Sequence, residues 1–235
     1  MLYVTGIPAF QDNYLWLIHD QQNAIAVDPG DHAPVQAVLT KHGLNLVGIL
    51  LTHHHADHIG GVEPLKAHYH CAIYGPHDAR IPNIDHPCAD EQTINFSELR
   101  LSFRVLEVPG HTRSHIAYYT ENKALGPSLF CGDTLFAGGC GRLFEGSAAQ
   151  MMHSLDRISR LPDATRIYCA HEYTAANLAF ALTVEPENSA LNIRAQAVKT
   201  LRELNQATVP SVLIEERQTN PFLRTDNSAI IDAAK

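Results

Sequence analysis

The chain has no basic tract, no apolar run long enough to span a bilayer, and no C-x-x-C pair. Each absence removes a class of function. Without clustered Lys and Arg, and with a net charge of −8, a nucleic-acid partner is not expected. Without about 20 consecutive apolar residues there is no helical membrane anchor, and no charged n-region precedes an h-region at the N-terminus. The five cysteines are odd in number and unpaired by spacing, so they form no disulfide framework. No G-x-S-x-G occurs, which removes the usual serine-hydrolase elbow. Low-complexity segments and solenoid-period repeats are also missing. A monomeric cytoplasmic protein of ordinary globular composition is expected, with 45% hydrophobic and 18% charged residues.

What the chain has in excess is histidine, 15 in 235 residues. Four of them, with one Asp, fall within Thr52–Gly61, T-H-H-H-A-D-H-I-G-G. Imidazole and carboxylate are preferred ligands of divalent transition metals. In an extended loop His53 and His55 project to one side, while Asp57 and the adjacent His58 cannot both join them. That reading gives two half-sites: His53 and His55 for one ion, Asp57 and His58 for another. His54 and Ala56 occupy the alternate positions and are excluded as ligands. Three later residues, His111, Asp133 and His171, each follow a strand-like run and can complete the shells. Asp133, with two oxygens, can bridge ions about 3.5–4 Å apart. His115 is assigned to the packing around the ligands and not to ligation.

The periodicity predicts strands at 1–8, 13–19, 24–27, 46–51, 72–74, 99–108, 116–120, 128–131 and 166–170. Helices are predicted at 34–42, 62–70 and 147–160, the last capped by Ser147. Beyond residue 173 the pattern is helical, at 173–183 and 191–205. The ligand-bearing loops therefore gather at one edge of a sheet sandwich. Cys131 and Cys169 end apolar runs and are assigned to packing.

The residues also match a family. T-H-H-H-A-D-H at 52–58, P-G-H-T at 109–112, G-D-T at 132–134 and A-H-E-Y-T at 170–174 resemble the ordered motifs of the metallo-β-lactamase superfamily. L-F-A-G-G-C-G-R-L-F-E-G at 135–146, with H-E-Y-T, resembles glyoxalase II, the hydroxyacylglutathione hydrolases. The resemblance covers roughly residues 5–225. It implies an α+β fold: an αββα sandwich over residues 1–173, then a helical substrate-binding domain over 174–235. It implies His53, His55 and His111 on one ion, Asp57, His58 and His171 on the other, and Asp133 bridging. It implies that Arg142, Phe144 and Tyr173 contact a glutathione thioester.

The implied reaction is hydrolysis of S-D-lactoylglutathione and related 2-hydroxyacyl thioesters to glutathione and D-lactate, the second step of methylglyoxal detoxification. Two ions, zinc by default with iron or manganese also suited, would acidify a shared water from about 15.7 towards roughly 7. Asp57 and Asp133 are the expected catalytic carboxylates. The alternatives are a glutathione persulfide dioxygenase using one iron, and a hydrolase of the same superfamily acting on another bond. The family commonly ends in a basic R-x-x-K-D-type stretch, which this chain lacks, so either its helical domain is shortened at the C-terminus or glutathione is held differently. Losing that carboxylate pairing should raise KM more than it lowers kcat.

Overall fold

The computed structural model describes residues 1–235. Its strands are β1 (Tyr3–Ala9), β2 (Asn13–His19), β3 (Asn23–Val27), β4 (Asn45–Leu50), β5 (Ala72–Pro76), β6 (His86–Cys88), β7 (Thr93–Phe96), β8 (Leu101–Glu107), β9 (Ile116–Thr120), β10 (Ser128–Gly132), β11 (Leu135–Phe136), β12 (Gly139–Cys140), β13 (Arg166–Cys169) and β14 (Ser211–Val212). Its helices are α1 (His32–His42), α2 (Ala56–Ile59), α3 (Val62–Tyr69), α4 (Ala148–Ser159), α5 (Thr174–Val184), α6 (Ser189–Glu203), α7 (Leu213–Thr219) and α8 (Ser228–Ala233).

The strands form two six-stranded sheets, in the orders β1-β2-β3-β4-β5-β6 and β14-β13-β10-β9-β8-β7, and β11 pairs with β12 alone. Alternation along the strands decides which side chains each face buries. Trp16, Ile18, Ile25, Val27 and Leu50 of the first sheet share one core with Phe103, Val105, Tyr118 and Leu129 of the second. The opposite parity, Leu15, Leu17, Ala24 and Ala26, packs with Val35 and Leu39 of α1 and Leu65 of α3. On the second sheet's side, α4 adds Met151, Leu155 and Ile158 to the shared core. Its start is fixed by a capping box between Ser147 and Gln150. The result is the αββα layering expected from the sequence, followed by the helices α5 to α8.

Five short strands depart from the expectation: β6, β7, β14, and the pair β11 and β12 where the sequence reads as a glycine-rich loop. β6 is His86-Pro87-Cys88 at the edge of the first sheet, the one place where a proline costs the ladder little. β7 folds back antiparallel on β8 through a tight turn, so the run 99–108 is the second arm of a hairpin. β14 is a two-residue edge strand on β13, too short to show a period. Asp57 and His58 also lie in a helical turn, α2, and not in an extended loop. Successive residues there differ by about 100°. The period-two parity therefore holds for His53 and His55 but not for the second pair.

Parallel pairing carries the functional segments to one end of the sandwich. β3 runs parallel to β4, with Val27 opposite Leu50, and this sets Asp28 beside Thr52. β10 runs parallel to β13, with Gly132 opposite Cys169, and the ends of these strands lead directly to Asp133 and His171. The sheets are tied together at that end, where Ile116 N donates to Thr52 O at 3.0 Å and Tyr118 Oη donates to Leu51 O at 2.8 Å. Gly30 is required by closeness: a Cβ there would lie 1.7 Å from Asp57 O.

Candidate metal centre

Seven side chains converge in two groups. His53, His55, His111 and Asp133 offer donor atoms within 4.8 Å of one another, as do Asp57, His58 and His171. In the first group His53 Nε2 and His55 Nδ1 are 3.0 Å apart, and His111 Nε2 is 3.1 Å from His55 Nδ1. In the second group Asp57 Oδ2 lies 3.5 Å from both His58 Nε2 and His171 Nε2. Asp133 faces both groups. Its Oδ1 is 3.4 Å from His58 Nε2 and from His171 Nε2, and its Oδ2 is 3.4 Å from His111 Nε2.

These spacings fit divalent ions. Ligand atoms at 2.0–2.1 Å from a tetrahedral centre lie about 3.4 Å apart, and the edges here run from 3.0 to 3.5 Å. His58 Nε2 and Asp133 Oδ1 are buried with no hydrogen-bond partner, a costly state unless another group takes up their lone pairs. Burial, then repulsion from His58, drives His53 well below the usual imidazole range, so its lone pair is free. Burial works against charge on His58 and Asp133 as well. Even so, Asp133 and Asp28 push His58 well upward, and His58 holds Asp133 well below the carboxylate range. The buried carboxylates thus demand positive charge among these imidazoles, which a cation supplies.

Partners behind the ligands orient the rings. Thr52 Oγ1 donates to Asp28 Oδ2 at 2.7 Å and lies 3.0 Å from His53 Nδ1. His58 Nδ1 faces the same Asp28 Oδ2 at 3.0 Å. His171 Nδ1 pairs with Asp12 Oδ1 at 2.8 Å, and His111 Nδ1 donates to Arg142 O at 2.8 Å. Asn13 Nδ2 donates to Asp57 Oδ2 at 2.9 Å. The sequence reading missed Asp12, Asn13, Asp28 and Thr52 as site residues. A signal existed for Asp28, which ends an apolar strand at D-P-G. Asp12 and Asn13 read only as a turn.

His115 lies among the ligands without joining them. Its ring stacks on His53 with centroids 4.6 Å apart, and its Nε2 accepts from Asp133 N at 3.2 Å. Burial pushes it down to about 3, so it stays neutral. His54 turns away, its Nδ1 3.7 Å from Asp78 and its Nε2 3.6 Å from Glu145.

The three residues assigned to substrate flank the two groups. Phe144 is 61% exposed, with ring centroids 5.2 Å from His111 and 5.6 Å from His55. The Arg142 guanidinium sits 5.9 Å over the Phe144 ring. Tyr173 stacks on His171 at 4.7 Å and nearly coplanar. Together they make an aromatic and cationic rim around the donor atoms.

One ion-pair cluster pins this rim. Arg80 pairs with Asp78 at 2.7 Å and with Glu145, which also accepts from Arg113 N at 3.0 Å. Arg80 holds Asp78 well below the carboxylate range and lowers Glu145 from 4.5 to about 2. Both folded values lie below the unfolded ones. Their contribution to stability is therefore complete above about pH 4.5 and is lost as pH falls towards about 2. Arg80→Met is expected to cost about 1 kcal/mol at pH 7, or about 2–4 °C in Tm. The gap to the unsubstituted protein should narrow as pH falls from about 4.5 and close only towards pH 2 in thermal scans. A gap independent of pH would rule this account out.

Comparison with known proteins bears on the centre as a whole. The family model described as "Metallo-beta-lactamase superfamily" matches residues 10–171, and "Hydroxyacylglutathione hydrolase C-terminus" matches 172–235. A hydroxyacylglutathione hydrolase of Nitrosomonas eutropha is 49% identical over 234 residues, covering 100% of this chain and 90% of that one. One of Aliivibrio salmonicida is 51% identical, covering 99% and 90%. Among solved structures, TTHA1623 in a di-iron-bound form superposes with a TM-score of 0.58 at 30% identity, covering 72% of this chain and 91% of that one.

Proposed function

This chain belongs to the hydroxyacylglutathione hydrolases of the metallo-beta-lactamase superfamily, and on that premise we propose how its residues carry out the reaction. It is a metal-dependent hydrolase of hydroxyacylglutathione thioesters. The substrate we assign is S-D-lactoylglutathione and its 2-hydroxyacyl analogues. The observation that carries the site assignment is the pair of donor groups sharing Asp133 beneath the rim of Arg142, Phe144 and Tyr173.

His53, His55 and His111 would hold one divalent ion, Asp57, His58 and His171 the other, with Asp133 between them. Zinc is the ion we assign, since N and O donors without thiolate suit it, though iron and manganese fit the same set. When bound, two such ions supply an acidified water and an electrophile for the thioester carbonyl. Asp57 is ionised even though it is half-buried, because contact with His58 and the Asn13 amide outweighs burial. Asn13, His58 and His171 all meet Oδ2, leaving Oδ1 to take a proton from the attacking water. The leaving thiol has a pKa near 8.5, so departure as thiolate needs no strong general acid. The rim lacks one.

Arg142 offers its charge to a carboxylate of the glutathione part, and Phe144 and Tyr173 offer apolar faces to its backbone. Phe144 has no hydroxyl, so contact there is by the ring alone. Residues 174–235 are assigned as the helical part that supports this binding. The five free cysteines suit a reducing compartment, and we assign the protein to the cytoplasm. No helix is long and apolar enough to cross a membrane.

The test is metal analysis of the purified protein together with hydrolysis of lactoylglutathione. About two ions per chain are expected. Removal by a chelator should abolish turnover, and zinc should restore it. A fully active metal-free protein, or one iron with oxygen uptake on glutathione persulfide, would overturn the reading.

A further inference from the structure

Behind the rim lies a buried charged group with no role in the chemistry above. Glu216 of α7 is fully buried, and Arg194 of α6 and Asn220 nearly or fully so. The Arg194 guanidinium donates through Nη2 to Glu216 Oε1 and through Nη1 to Thr219 Oγ1 at 2.6 Å. Glu216 Oε2 accepts from Gly138 N at 2.8 Å. The Asn220 amide nitrogen lies 2.9 Å from Gly139 O, 3.2 Å from Phe136 O and 3.1 Å from Glu216 Oε2.

Three of these contacts, from Glu216 Oε2 to Gly138 N and from the Asn220 amide to Phe136 O and Gly139 O, end on the β11–β12 turn. That turn is the stem of the segment that carries Arg142 and Phe144, and Phe136 at its base packs 5.2 Å from Tyr173 and 5.8 Å from His171. Gly138 has φ +71°, a conformation disfavoured by other residues, and a Cβ there would lie 2.7 Å from Leu178 of α5. The turn is therefore both conformationally special and wedged against the helices.

Apolar packing could hold a turn at lower desolvation cost than a buried ion pair. What apolar packing cannot do is fix the direction of three peptide groups. The carboxylate and the amide do so, taking Gly138 N–H, Phe136 C=O and Gly139 C=O in set orientations. We propose that Glu216, Arg194 and Asn220 are positioning residues that set the shape of the 136–144 segment and hence the affinity for the glutathione part of the substrate. The proposal rests on the glutathione reading above. It makes the helical segment a determinant of specificity through the rim, without any contact to the reacting atoms.

The test compares Glu216→Gln and Asn220→Ala with the unsubstituted, metal-loaded protein on two substrates. One is lactoylglutathione, and the other is the lactoyl thioester of N-acetylcysteamine, a short thiol that lacks the glutamyl and glycyl carboxylates of glutathione. Asn220→Ala keeps the Arg194–Glu216 pair and serves if Glu216→Gln does not fold. For lactoylglutathione KM should rise roughly tenfold, the effect of about one hydrogen bond, with kcat within about twofold. For the short thioester kcat/KM should stay unchanged, and metal content should stay at two ions. Equal losses on both substrates, or an unchanged KM for lactoylglutathione, would overturn the positioning role while leaving the hydrolase reading intact. An unsubstituted protein with equal kcat/KM on both thioesters would overturn the glutathione reading, and the network's role with it.

Discussion

Asp133→Ala is expected to lower kcat/KM for lactoylglutathione by about three orders of magnitude and to reduce bound metal below two ions per chain. Asp133 is the one side chain that faces both donor groups, with Oδ1 towards His58 and His171 and Oδ2 towards His111. Its removal takes an anionic ligand from each. Charge stabilisation at such a centre is worth several kcal/mol, and about 1.4 kcal/mol is a factor of ten in rate. Asp133→Asn keeps the shape and one carbonyl oxygen, so it should retain more activity than the alanine variant. Thermal unfolding separates loss of the site from loss of the fold. Full activity in Asp133→Ala would remove this residue from the centre.

How much of this was legible beforehand follows from what period and chemistry can encode. His53 and His55 were readable because a ligand chemistry coincides with a local alternation, and Asp133 and His171 because each ends an apolar strand. Asp57 and His58 fall in one donor cluster, but α2 and not an extended loop turns them towards one point. Asp12, Asn13, Asp28 and Thr52 were invisible as a set. Asp28 meets Thr52 because β3 pairs in parallel with β4, and Asp12 and Asn13 meet His171 across an isolated antiparallel bridge, non-local facts that no window of sequence contains. The same applies to Glu216 and Asn220. Read locally, they belong to a polar helix and its end, and only the packing of α7 against β11 and β12 turns them inward. β6, β7, β11, β12 and β14 were missed or misdrawn because strands of two to four residues carry too few alternations to register.

The unforeseen Asp28 supports the second large prediction. Asp28 sits at φ +49°, a region that Asn also tolerates, so Asp28→Asn tests its charge without straining the backbone. Asp28 Oδ1 accepts from Thr52 N at 2.8 Å, and an amide oxygen can keep that bond. Oδ2 is different. It accepts from Thr52 Oγ1 and faces His58 Nδ1. An amide nitrogen in its place would point hydrogens at two donors. Thr52 would then turn its hydroxyl, and the contact of Oγ1 with His53 Nδ1 would change with it. One substitution thus reaches His58 in one donor group and His53 in the other. Loss of such a supporting partner typically costs about 10–100-fold in metal affinity or activity. Asp28→Asn is therefore expected to weaken zinc binding by that amount in chelator competition and to lower kcat/KM in step. The ion assigned to Asp57, His58 and His171 should leave first, because His58 contacts Asp28 directly and His53 only through Thr52. Zinc affinity and turnover within twofold of the unsubstituted protein would show that the ligand rings are held by packing alone.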